Sequence, residues 1–158
     1  LMIDTKRVTH RRPIRYESYD DVLADAERLA QGPVATLGNW SPGQVFAHLA
    51  MACDVMIDGA PVVPPKPVQW LLRVCLKRRL LTHGLPAGFQ LKGRAATLVP
   101  GPISTEAGWA RLRAGFARLR ANPHRAPHPG FGVITPEEWD AFHLRHCELH
   151  MSFLQPRS

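Results

Sequence analysis

The stretch Phe142-His143-Leu144-Arg145-His146-Cys147-Glu148-Leu149-His150 sets His146 and His150 four residues apart. On an α-helix that spacing puts both imidazoles on one face, one turn apart, where they can chelate one metal ion. Alone the pair is a weak signal. Ser41-Pro42-Gly43-Gln44-Val45-Phe46-Ala47-His48-Leu49-Ala50 strengthens it. That stretch reads as a firmly capped helix with a single His on its inner side. We expect His48, His146 and His150 to meet at one metal and to leave part of its coordination sphere open.

Working outward, each His-bearing segment has a clear helix start. Ser41 is a good N-cap, Pro42 suits the first turn, and Gln44 completes a capping box. Val45, Leu49, Ala52 and Met56 follow at helical spacing, and Gly59 closes the run before Pro61, Pro64, Pro65 and Pro67. Thr135-Pro136-Glu137-Glu138 opens the last helix in the same way, and it runs to about Leu154.

Three more helical patterns complete the chain. One spans about Asp20 to Gln31, capped by Ser18 or Asp20 and ended by Gly32-Pro33. Another spans about Val68 to Thr82, with Trp70, Leu71, Val74, Cys75 and Leu81 expected on its core side and Arg73, Lys77 and Arg78 outside. The third spans Ser104 to Ala121, with a stripe of Trp109, Leu112, Phe116 and Leu119. Residues 1–16 read as a basic arm, and residues 84–103 as a long loop of the kind that forms lids or binding loops. Five helices without a convincing strand predict an all-α bundle in a single domain over residues 1–158.

The 158 residues are enough for a compact core, and 45% are hydrophobic against 21% charged, so disorder is not expected. The net charge of +7 allows an acidic partner, namely nucleic acid, an anionic membrane surface or an anionic small molecule. The plainer reading is solvated Arg on outer helix faces. Three Cys without CxxC spacing argue against a disulfide framework and suit a reducing cytoplasm. No run approaches the ~20 apolar residues of a membrane span, so no membrane partner is expected.

Several motifs together resemble one branch of the DinB-like (YfiT-like) superfamily. They are Leu37-Gly38-Asn39-Trp40-Ser41 with Gln44 and His48-Leu49-Ala50, His128-Pro129 with Phe131-Gly132, Glu138-Trp139, and the run from His143 to Phe153. The likeness extends from Asp4-Thr5-Lys6 and Arg11-Arg12 through Gly59 and Gly88-Phe89. It implies an up-down-down-up four-helix bundle with an extra short helix or long loops. It also implies a divalent metal, Zn, Ni, Fe or Mn, held by three His that match His48, His146 and His150. Some members of the superfamily use a low-molecular-weight thiol, and relatives often dimerise, so a homodimer is expected.

Each remaining candidate has a plain structural reading beside the functional one. His143, three residues before His146, can bond a metal-bound group, accept a proton, serve as a fourth ligand or simply face the cleft mouth, and His143 with His146 is the lesser alternative to the His146–His150 pair. Gln44, one turn before His48, can orient substrate as well as cap its helix. His128, in a Pro-rich loop, can line the cleft, although loop His are usually solvated. Arg94 can meet an anionic substrate. Glu148, Cys53 and Cys147 lie off the metal stripe, and the four Trp read as core.

Two classes of function follow. The first is a metal-dependent enzyme, either an S-transferase passing a low-molecular-weight thiol to an electrophile or a hydrolase. The resemblance favours the thiol. The second is a non-catalytic stress-response or binding module whose metal is structural or absent. Nucleic acid is not the expected partner, because no helix-turn-helix spacing is evident.

Overall fold

The structure is a computed structural model that describes residues 2–157; Leu1 and Ser158 lie outside the described residues. It is mostly helical, as the sequence predicts. The long helices are α1 (Tyr19–Gln31), α2 (Pro42–Asp58), α5 (Thr105–Ala121) and α6 (Pro136–Met151). Two shorter helices, α3 (Lys66–Cys75) and α4 (Lys77–His83), lie between α2 and α5, followed by a 3-10 turn at Gly93–Leu98.

The caps that announce these helices form as read. Ser18, Ser41 and Thr135 each accept a backbone amide from the third helical residue, and Asp21, Gln44 and Glu138 reciprocate. Ser104 caps α5 on the amide of Ala107. Each such cap stabilises its helix by about 1 kcal/mol. At the far end of α2, Gly59 adopts φ +94°, a conformation that lets its amide return to Val55 and that glycine adopts without steric cost.

The closest packing in the molecule is between α2 and α5. Gly43 meets Gly108 near the two N-termini, Ala50 meets Gly115, and Asp54 and Asp58 pair with Arg118 near the C-termini. These contacts make α2 and α5 parallel, so the chain must cross the length of the molecule between them. Residues 59–104 make that crossing and carry α3, α4 and the long loop. Helix α6 runs antiparallel to α2, because His48 faces His146 and His150 while Cys53, further along α2, faces His143. Phe46, Leu49, Leu112, Phe116 and Met151 lie fully buried in the hydrophobic cluster between these helices, joined by Val22 and Leu29 of α1.

Three features depart from the sequence reading. Helix α6 stops at Met151, and Leu154–Pro156 forms a short strand, β2, antiparallel to β1 at Val34–Thr36. The helix expected over Val68 to Thr82 breaks at Leu76 into α3 and α4. Its apolar positions also sit differently: Trp70, Leu71, Val74 and Cys75 are exposed, whereas Leu72 and Leu80 pack against the core and Gln69 bonds the Pro129 carbonyl; Arg73 and Arg78 are exposed as expected. An amphipathic period shows that a helix has an apolar side. It does not show which side the rest of the protein covers.

Candidate metal centre

His48 sits at the second turn of α2, and His146 and His150 sit near the end of α6. The antiparallel pairing of these helices brings the three rings together. Nε2 of His146 lies 3.2 Å from Nε2 of His48 and 3.1 Å from Nε2 of His150. One ligand nitrogen from each lies within 4.8 Å of the others. Two nitrogens bound tetrahedrally to Zn at about 2.0–2.1 Å sit roughly 3.3 Å apart, so the spacing fits one ion. No Asp, Glu or Cys joins the group among the described residues.

The protonation states also fit. Nδ1 of His48 lies 2.8 Å from the Leu98 carbonyl, which can only accept, so Nδ1 carries the proton and Nε2 keeps its lone pair. Burial lowers the pKa of His48, against a smaller opposing effect of that hydrogen bond. Burial pushes His146 and His150 well below the ordinary imidazole value, and positive charge on the neighbouring His rings would lower them further. Neutral rings with lone pairs meeting at one point are what a metal ion needs.

Trp40 forms one wall. Its ring stacks on His150 with centroids 5.3 Å apart at 14°, and lies 4.8 Å from the His48 ring. It directly precedes the Ser41 cap, and that position on the helix carrying His48 is a signal that a sequence reading can use. The role of Leu98 leaves no such signal, because a backbone carbonyl has no residue type. His146 and His150 are only partly covered, whereas His48 is buried.

The other sequence candidates lie as follows. His143 is not at a cleft mouth. It is 1% exposed, packs on Tyr19 and Phe116, and sets Nε2 3.4 Å from Cys53 Sγ and 3.9 Å from Cys147 Sγ. It stands outside the group of three. Gln44 divides its amide between the Ser41 amide and the Pro100 carbonyl, so its side chain holds the cap and the loop. His128 is buried rather than solvated, among Phe131, Trp139 and Phe142, and its Nδ1 accepts the Gly130 and Phe131 amides. Arg94 is exposed on the turn that ends at Leu98. Glu148 faces away from the three rings, accepting from Arg145 and from the Tyr16 amide.

Two surface clefts, of ≈ 330 and ≈ 280 Å³, are lined without any of the three His. The partly covered edge of His146 and His150 is thus separate from both.

Comparison with known proteins gives one family. A model described as "Protein of unknown function (DUF1569)" matches residues 8–157. No curated protein and no solved structure matches the chain.

Proposed function

This chain belongs to the DUF1569 family, and we propose that it is a metal-dependent enzyme that transfers a low-molecular-weight thiol to an electrophile. The observation that carries the reading is the meeting of three imidazole nitrogens within 4.8 Å. A structural zinc site is usually closed by four protein ligands, whereas a catalytic site keeps a position open. Three His with no fourth Asp, Glu, Cys or His donor among the described residues favour the open kind, and so speak against the non-catalytic module.

A bound divalent ion would supply Lewis acidity and lower the pKa of a thiol presented to it. The protein's own residues would do the rest. His48, His146 and His150 would hold the ion, the Leu98 carbonyl would fix the His48 tautomer, and Trp40 would keep water off one side. Zn, Ni, Fe and Mn all accept imidazole ligands.

Thiol transfer is preferred to hydrolysis because, among the described residues, no Asp or Glu joins the three His as a proton acceptor. The carboxylate of Glu148 is engaged elsewhere, and Nε2 of His143 is turned to Cys53. A bound ion would supply the acidity that ionises a thiol, so the chain would not need to provide a further base. The reading includes a DinB-like, up-down-down-up bundle, supported by the parallel α2 and α5 and the antiparallel α6. It also includes a reducing cytoplasm, supported by the free thiols of Cys53, Cys75 and Cys147.

The test is a screen of the metal-loaded protein with bacillithiol, mycothiol and glutathione against alkyl halide and epoxide electrophiles. Thioether formation that is lost with a chelator and with His150→Ala supports the reading. Ester or amide hydrolysis without thiol consumption would replace it with the hydrolase.

A further inference from the structure

The charge of this protein is unevenly placed. Between Asp58 and Glu106 there is no Asp or Glu. The seven Lys and Arg of that segment equal the whole net charge of +7, and the other 13 balance the 13 acidic residues of the chain. Five of the seven, Lys66, Arg73, Lys77, Arg78 and Arg79, lie on α3 and α4. Lys77 is tied to Glu138, but no ion pair reaches Arg73, Arg78 or Arg79 among the described residues.

Exposed apolar surface is placed in the same segment. Apart from Met2, Ile3 and Val133, the large apolar side chains left exposed among the described residues all lie in it. On α3, Trp70 is 66%, Leu71 54% and Val74 62% exposed. Their spacing sets them on one helix face, turned away from the face that Gln69 and Leu72 apply to the protein. Single exposed apolar residues need no explanation, but a strip of Trp, Leu and Val bordered by unpaired Arg marks an interaction surface.

We propose that the outward face of α3 and α4 docks on the surface of an anionic phospholipid bilayer. The contact is peripheral, since no described helix is long and apolar enough to cross a membrane. A bilayer surface offers anionic headgroups above an apolar layer, and this face carries the complement of both. Trp70, Leu71 and Val74 enter the boundary between headgroups and acyl chains, while Arg73, Arg78 and Arg79 meet the phosphates. A second copy of the chain is the poorer occupant, because a two-fold interface would set the same unpaired Arg residues against each other. Nucleic acid satisfies the Arg residues but gives Leu71 and Val74 nothing to bury against, since its affinity comes mainly from phosphate contacts.

Sedimentation with vesicles tests this. The full chain is mixed with phosphatidylglycerol–phosphatidylcholine vesicles and with vesicles of phosphatidylcholine alone. The expected result is binding to the first, loss of that binding in high salt, and little binding to the second. Arg78→Glu with Arg79→Glu should weaken it by on the order of tenfold or more, and so should Trp70→Ser with Val74→Ser. Val133→Ser, exposed outside the segment, should change nothing. All variants should melt with the parent, because the substituted side chains are exposed. Three results overturn the proposal: no binding to the anionic vesicles, equal binding to both kinds, or vesicle binding unmoved by either double variant. A dimer that Trp70→Ser with Val74→Ser dissociates, in protein that ignores vesicles, would assign the face to a second copy.

Discussion

Nδ1 of His48 lies 2.8 Å from the carbonyl oxygen of Leu98, 50 residues further along the chain. That hydrogen bond links a proposed ligand on α2 to the last residue of the turn in the long loop. It fixes which ring nitrogen faces His146. Replacing Gly93–Leu98 by a Gly/Ser segment of equal length should therefore weaken metal affinity about 10- to 100-fold, as loss of such outer partners does. Helix content should be unchanged by circular dichroism. Unchanged affinity in a competition titration would show that the ordered turn is not needed to position the ring.

The parallel pair α2 and α5 depends on glycine where the backbones touch. A Cβ on Gly108 would stand 2.7 Å from the Gly43 Cα and overlap the Gly43 carbonyl, and backbone cannot swing aside. At Gly115 the nearest atom is Ala50 Cα at 3.2 Å, a contact that a small shift relieves. Gly108→Ala should cost about 2 kcal/mol or more despite a helix-propensity gain of about 1 kcal/mol. Gly115→Ala should be close to neutral. Urea midpoints check both, and equal midpoints for the two variants would contradict the packing.

The three cysteines differ in exposure. Cys75 is exposed, whereas Cys53 and Cys147 are buried beside His143. Burial pushes the Cys53 thiol up to about 12 and Cys147 well above the ordinary range. One thiol per native chain should react with a disulfide reagent at neutral pH, and two more after denaturation. Cys75→Ser should abolish the native reaction. Fast reaction of two or three thiols in the folded protein would place Cys53 or Cys147 near solvent.

Acid should destabilise the fold through its buried imidazoles. Burial lowers His128 and His143 to about 3, so the unfolded chain binds protons that the native chain refuses once pH falls below about 6.5. Stability is then complete above that pH and is lost as pH falls toward 3, by at most about 1.4 kcal/mol per pH unit per group. His128→Asn provides a carbonyl oxygen for the Gly130 and Phe131 amides and does not titrate. The slope of its unfolding free energy between pH 6 and 4 should be shallower than the parent's by about that amount. Parallel slopes would mean that His128 is protonated in the native state.

How much of this was legible follows from the kind of signal each feature leaves. Capping boxes at Ser41 and Thr135 are local, so helix starts could be read directly. The His146–His150 spacing is local as well, and His48 could be added because it lies on the inner side of a capped helix. The outward turn of Trp70, Leu71 and Val74 was not legible. It depends on which side of α3 meets the Pro129 loop, a non-local fact. The burial of His143 was hidden for the same reason, since Tyr19, Cys53 and Phe116 come from distant segments; that of His128 was hidden because the loop that folds it against Phe131, Trp139 and Phe142 has no period. The β1–β2 pair joins residues over 100 positions apart in strands of three, too short to leave a period. The acid-free segment lies open in the sequence, but it gains meaning only once its apolar face is seen to be outside.

Metal content gives the most direct test of the three-histidine centre. Protein purified without chelator and analysed by plasma mass spectrometry should carry one equivalent of Zn, Ni, Fe or Mn per chain. His48→Ala and His146→Ala should each lose it while keeping the parent's circular dichroism. Parent protein that holds no metal and takes up none of these ions when they are added would contradict the account, and so would a stoichiometry unmoved by His48→Ala.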